Sequence, residues 1–95
     1  MAYLITMKAD NREIYARLSK EMYDAKARML ESGHFLAEIQ ERGLKLRFIV
    51  QYKKYIPEKA FNRFVYGKLK SKLKKEFKGT VTSELKKIDH DFEVV

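Results

Sequence analysis

The sequence has no cysteine and no tryptophan, and its 95 residues include one proline and four glycines. Without cysteine there is no disulfide framework, no thiol nucleophile and no Cys-ligated zinc. Packing alone must hold the fold, and a reducing, cytoplasmic location is expected. Long apolar runs are also missing. Met1-Ala2-Tyr3-Leu4-Ile5 passes straight into Thr6 and Lys8, without the cationic head or extended apolar stretch of a secretory signal, and no segment reads as a membrane span. There is no glycine-rich phosphate loop, no Walker lysine and no motif with metal-ligand spacing, so no cofactor is expected.

Apolar side chains make up 45% of the chain and aromatics 13%, a composition that favours order over disorder. Ninety-five residues suffice for one compact core, and residues 1–95 are read as a single domain. Lys and Arg number 21 against 13 acidic residues, giving a net charge of +8. A charge of that size attracts nucleic-acid phosphates, an acidic protein or anionic lipid. Where the charges sit matters more than their sum.

Residues 2–8 alternate Tyr3, Ile5 and Met7 with Ala2, Leu4 and Thr6 and read as a strand. Asp10 precedes Glu13 at capping-box spacing and is the expected start of a helix whose apolar stripe is Ile14, Leu18, Met22, Ala25 and Met29. That helix runs to about Ser32, with Gly33 as a left-handed stop. Residues 34–42 suit a strand or a short helix; Glu41-Arg42-Gly43, as a three-residue hairpin loop, favours the strand. In residues 44–53, Leu44, Leu46, Phe48, Val50 and Tyr52 share one face, opposite Lys45, Arg47, Ile49, Gln51 and Lys53.

Pro57 opens a second helix, in which Phe61, Val65, Leu69, Leu73 and Phe77 recur every four residues, joined by Phe64 and closed by Gly79. Gly67 inside it suggests a close contact or a bend. Ile88, His90, Phe92 and Val94 alternate with Lys87, Asp89, Asp91 and Glu93 as a last strand, after a turn or frayed stretch around residues 80–86. The order β-α-β-β-α-β predicts an α+β, ferredoxin-like domain: an antiparallel sheet with two helices packed on one face. The other face is left open, with Lys45, Arg47, Gln51 and Lys53 on it. Tyr3, Ile5 and Met7 join them if the first strand buries Leu4.

From Glu58 to Gly79 there are eight basic residues against two acidic ones, a local excess of six positive charges. Like charges recur at i,i+4 in Lys68/Lys72, Lys70/Lys74 and Lys74/Lys78, a pattern that costs a helix a few tenths of a kcal/mol per pair. Two readings stand side by side: a solvated face, or a cationic ridge that neutralises phosphates and releases counterions. A membrane-surface role is disfavoured, because the apolar stripe is needed for the core.

Exposed rings of the RNA-recognition type are not expected, since Phe48 and Tyr52 fall on the side of Leu46 and Val50. A face with Arg47, Ile49 and Ile5 equally suits a sheet-to-sheet homodimer. Tyr15, Tyr23, Tyr55 and Tyr66 are further stacking or interface candidates. On a strand, Asp89 and Asp91 point away from His90, which works against a shared metal. Asp10 is read as a helix cap rather than a metal ligand.

The favoured reading is a small, regulatory, non-catalytic nucleic-acid-binding protein, for RNA or DNA. Its contact residues are Lys45, Arg47, Lys53, Lys68, Lys70, Lys72, Lys74, Lys75 and Lys78. The alternatives are a dimeric interaction module or inhibitor for an acidic protein, and a metal-independent endoribonuclease using His34 or His90.

Overall fold

The computed structural model describes residues 2–92. It is an α+β structure with strands β1 (Ala2–Ala9), β2 (Phe35–Arg42), β3 (Lys45–Tyr52) and β4 (Val81–Ile88). They form one antiparallel sheet in the order β2-β3-β1-β4. Helix α1 (Arg12–Ser32) joins β1 to β2. Between β3 and β4, α2 (Glu58–Phe61), a π-helical turn (Asn62–Tyr66) and α3 (Gly67–Phe77) follow without a break as a second helical segment.

Both helical segments cover the same sheet face. The alternation of β1 puts Tyr3, Ile5, Met7 and Ala9 beneath them, with Leu46, Phe48 and Val50 of β3 alongside. Leu18 and Met22 come down from α1, and Phe61, Leu73 and Phe77 from the second segment. Tyr3, Ile5 and Met7 therefore belong to the core and not to the open face, contrary to the conditional placement above. Leu4 takes the opposite side.

Local chemistry moves several boundaries. The α1 cap is Asn11, whose side chain accepts the Ile14 N–H at 2.9 Å. Asp10 instead donates its backbone N–H to the Thr80 carbonyl at 3.0 Å, joining the ends of β1 and the helix-to-β4 turn. Gly33 stops α1 at φ 76, as expected. Residues 35–42 are a strand, but the hairpin is tighter than a three-residue loop. Arg42 pairs with Lys45, leaving only Gly43 and Leu44 to turn. Gly43 at φ 59 in the first turn position matches the glycine-first hairpin turn whose twist suits its strands.

The π-turn corrects the reading of the second helix. Phe61 and Leu73 are twelve residues apart, which on a regular α-helix separates them by roughly 120° around the axis. One extra residue absorbed in a wide turn cuts that to roughly 20°. Phe61, Leu73 and Phe77 are thereby all buried, while Phe64 is turned outward, 58% exposed. Gly67 lies where the turn is tightest. Its N–H reaches back five residues to the Asn62 carbonyl, and a Cβ at Gly67 would lie 3.0 Å from that oxygen. The helix ends with Lys78, not Gly79, as its left-handed cap at φ 48.

The last strand starts earlier than the tail pattern suggests. Val81 to Ile88 pair along the whole of β1, and residues 89–92 leave the sheet edge and cross its open face. Phe92 packs with Ala2, Leu4, Ile49 and Ile88. His90 Nε2 comes 2.8 Å from Glu38 Oε2 on β2, the opposite edge strand. The approach is close but not aligned as a hydrogen bond, so it attracts when the imidazole carries a proton. Glu93 and Val94, placed in the last strand by their alternation, lie outside the described residues.

Candidate nucleic-acid interface

The open face is organised by the strand register into cross-strand rows. At the hairpin end, Arg42, Lys45, Lys8 and Thr82 stand side by side. Next come Gln40, Arg47, Thr6 and Glu84, with Arg47 Nη1 donating to Gln40 Oε1 at 3.2 Å. The third row is Glu38, Ile49, Leu4 and Lys86; beyond it Leu36 pairs with Gln51, and Ala2 with Ile88. One end is cationic. The other is apolar, and Phe92 packs on part of it.

In the first row three cations stand on three adjacent strands with no carboxylate between them, and like charges placed directly opposite destabilise a sheet. Arg47 adds a fourth from the next row. Thr6 and Thr82 supply hydroxyls, and Glu84 is the only acid lining the hollow of about 370 Å³ that opens between Lys8 and Lys45. Such an array is relieved by an anion with several oxygens: each ammonium or guanidinium gains a charge-assisted hydrogen bond and loses part of its repulsion. Lys45 and Arg47 were expected here. Lys8 and Arg42 join them only through the register, which no local pattern reveals.

The helix lysines form no single row. Lys70 and Lys74 flank a hollow against β4, with Lys70 Nζ 5.4 Å from the Tyr66 ring centroid. Lys68 and Lys72 turn towards α1, where Lys72 pairs with Glu21 at 2.9 Å and holds that carboxyl below its ordinary range. Lys75 and Lys78 are exposed. Apart from Lys72, none of these six has an ion pair among the described residues. They occupy the helical layer, so the sheet separates them from Lys45 and Arg47. Lys53 belongs to neither group. It follows the end of β3, its N–H bonded to the His34 carbonyl at 2.9 Å.

Other candidates take structural places. Phe48 is core, as the alternation indicated. Ile5 faces the helices, so it contributes nothing to a dimer face with Arg47, and Ile49 is covered by Phe92. His34 lies tilted against Tyr52 and His90 faces Glu38. No group of three His, Asp or Glu side chains gathers to hold a metal among the described residues, and no described helix is long and apolar enough to cross a membrane.

Glu41, expected in the hairpin loop, lies in β2 and pairs with Leu46. Its odd register places it under α1, where Tyr15 Oη and Ser19 Oγ each donate to it at 2.8 Å and Tyr23 Oη at 3.5 Å. The Ser19 and Tyr15 hydrogen bonds hold the Glu41 carboxyl below its ordinary range, while burial and the carboxylate push the Tyr15 phenol up. The cluster fastens α1 to β2. A phenol kept protonated is a poor base, so the cluster reads as a latch.

No family model matches the chain, and neither the curated proteins nor the solved structures offer a match.

Proposed function

We propose that this chain is a small, non-catalytic nucleic-acid-binding protein that grips the sugar-phosphate backbone. The row Arg42, Lys45 and Lys8, with Arg47 beside it, is its main contact surface; Lys70 and Lys74 beside β4 and the exposed Lys75 and Lys78 offer further phosphate contacts, whereas Lys68 and Lys72 turn towards α1 and Lys72 is paired with Glu21. The observation that carries the reading is the register that aligns three cations on adjacent strands with no acid among them. Cations on paired strands are held at fixed spacing. A phosphate chain therefore gains from them without ordering a loop first. We further propose that the fold is a ferredoxin-like arrangement carrying a π-turn. This is supported by β1 lying between β3 and β4 and by β3 lying between β1 and β2.

The test is fluorescence anisotropy with labelled oligonucleotides over a salt series. Affinity should fall with salt at a log–log slope of about −0.7 to −0.9 per phosphate neutralised. Replacing Lys8, Lys45 and Arg47 by Gln should flatten that slope by about 2. Binding that ignores salt, or no binding at low salt, removes the proposal.

A second reading, an interaction module for an acidic protein, is favoured by the groove between α1 and α3. Met22, Met29, Phe64 and Leu69 make it apolar, and Arg28 and Lys68 make its rim basic. An acidic amphipathic helix fits that chemistry. Replacing Phe64 and Lys68 by Ser and Glu should abolish such a partner's binding and leave oligonucleotide binding by the sheet intact; the reverse outcome rejects this reading.

A further inference from the structure

The connection 53–57 runs past the end of the sheet and encloses a hollow of about 310 Å³. That volume is at the lower bound for small-molecule pockets and suits a single base with its sugar and phosphate. Tyr3 forms the floor, its ring stacked on Phe61 at 3.9 Å. Tyr52 forms one wall and is fixed in place: the Phe35 ring meets it edge-on at 5.1 Å and His34 lies against it at 6.3 Å.

Tyr55 stands at the rim with 91% of its surface exposed, the most exposed large hydrophobic side chain among the described residues. The chain is constrained just beyond it. Pro57, at φ −60, restricts Ile56 to extended conformations, and the Phe61 N–H bonds the Pro57 carbonyl at 3.0 Å. A phenol ring this exposed, at the rim of a hollow, is a surface on which another flat ring can lie.

Charge at the hollow is one-sided. Lys53, Lys54 and Lys87 surround it against one acid, Glu58, and none of the three lysines has an ion pair among the described residues. Gln51 adds an amide that both donates and accepts. Aromatic rings, clustered ammonium groups and an amide together match the chemistry of a nucleotide: a flat polar ring joined to a phosphate.

We propose that the hollow bounded by Tyr52, Tyr55, Lys53, Lys54 and Lys87 receives one unstacked base of a single-stranded nucleic acid together with its phosphate. The proposal rests on the nucleic-acid reading above and deepens it: duplex bases are paired and stacked away from such a pocket, so the protein selects single strands. Lys53 thereby acquires a role separate from Lys45 and Arg47, and Lys54, Lys87 and Tyr55 join it.

The experiment is anisotropy with a labelled single strand and a hairpin duplex, using the wild type, Tyr55→Ala and Tyr55→Phe, with thermal melts as a check on folding. Tyr55 is so exposed that its removal leaves the melt unchanged. The wild type should bind the single strand more tightly than the duplex. Stacking on one aromatic is worth a fivefold or greater change in affinity. Tyr55→Ala should therefore weaken the single strand by at least that factor and the duplex by less than twofold, while Tyr55→Phe keeps wild-type affinity. Equal loss on both forms, no loss on either, or a wild type that favours the duplex overturns the base site while leaving backbone binding intact. A wild type that binds neither form overturns the nucleic-acid reading itself.

Discussion

Replacing Gly67 by alanine sets two known effects against each other at one position. In an ordinary helix interior the change stabilises by about 1 kcal/mol, because glycine leaves more backbone freedom to lose. Here the new Cβ would sit 3.0 Å from the Asn62 carbonyl oxygen, the same oxygen that accepts the Gly67 N–H. The neighbour is a backbone atom and not the tip of a flexible side chain, so accommodating the methyl means shifting the turn, at a cost of about 1–3 kcal/mol. If the turn instead reverts to regular α-helix, Phe61 and Leu73 can no longer share the core face. Either route outweighs the helix-propensity gain, so Gly67→Ala should destabilise by about 1 kcal/mol, which for a domain of this size lowers the melting temperature by about 4–8 °C. Urea titration of Gly67→Ala beside Ser71→Ala provides the comparison. Ser71 is exposed four residues further along the same rod, and its replacement should stabilise by roughly half a kcal/mol. If both midpoints rise together, the π-turn has no bearing on stability and the reasoning fails.

Phe61→Ala removes a fully buried ring stacked on Tyr3 and should cost about 3–5 kcal/mol, a large share of the roughly 5–14 kcal/mol expected for a chain of this length; a midpoint shift below 1 kcal/mol in urea contradicts the packing. Asn11→Ala should cost about 1 kcal/mol through the lost cap, whereas Asp10→Ala should leave the urea midpoint nearly unchanged, and the opposite ranking would restore Asp10 as the cap. Glu41 has a folded-state pKa below its unfolded value because of the Ser19 and Tyr15 hydrogen bonds, so its stabilisation is present above the unfolded carboxylate pKa and fades as pH falls through the folded one. The gap in urea midpoint between wild type and Glu41→Gln should therefore be widest near pH 7 and shrink below about pH 4; an equal gap at both pH values argues that the hydrogen bonds do not depend on the carboxylate's charge.

Local signals were enough wherever an element is decided by its own residues. The alternation of Leu46, Phe48 and Val50 and the stripe through Leu18 and Met22 mark the core faces of β3 and α1, and Gly33 marks the helix stop. Even the ambiguous residues 35–42 were readable as a strand, because Gly43 supplies the positive φ a hairpin needs. Asp10 and Asn11 show the limit of that approach. Both are good caps, and the choice fell to Asn11 because the Asp10 backbone is claimed by Thr80, a residue distant in sequence.

Composition and periodicity by themselves determined that the chain is basic and α+β with a cation-rich second helix, since charge and hydrophobic period are properties of consecutive residues. What only the tertiary structure decided is which cations meet. Arg42, Lys45 and Lys8 come from three strands and align through register, and Lys87 reaches Lys53 and Lys54 through the pairing of β4 with β1. The four-residue stripe of the second helix likewise concealed a π-turn, because the need to re-phase Phe61 against Leu73 arises only when both must fill the same core.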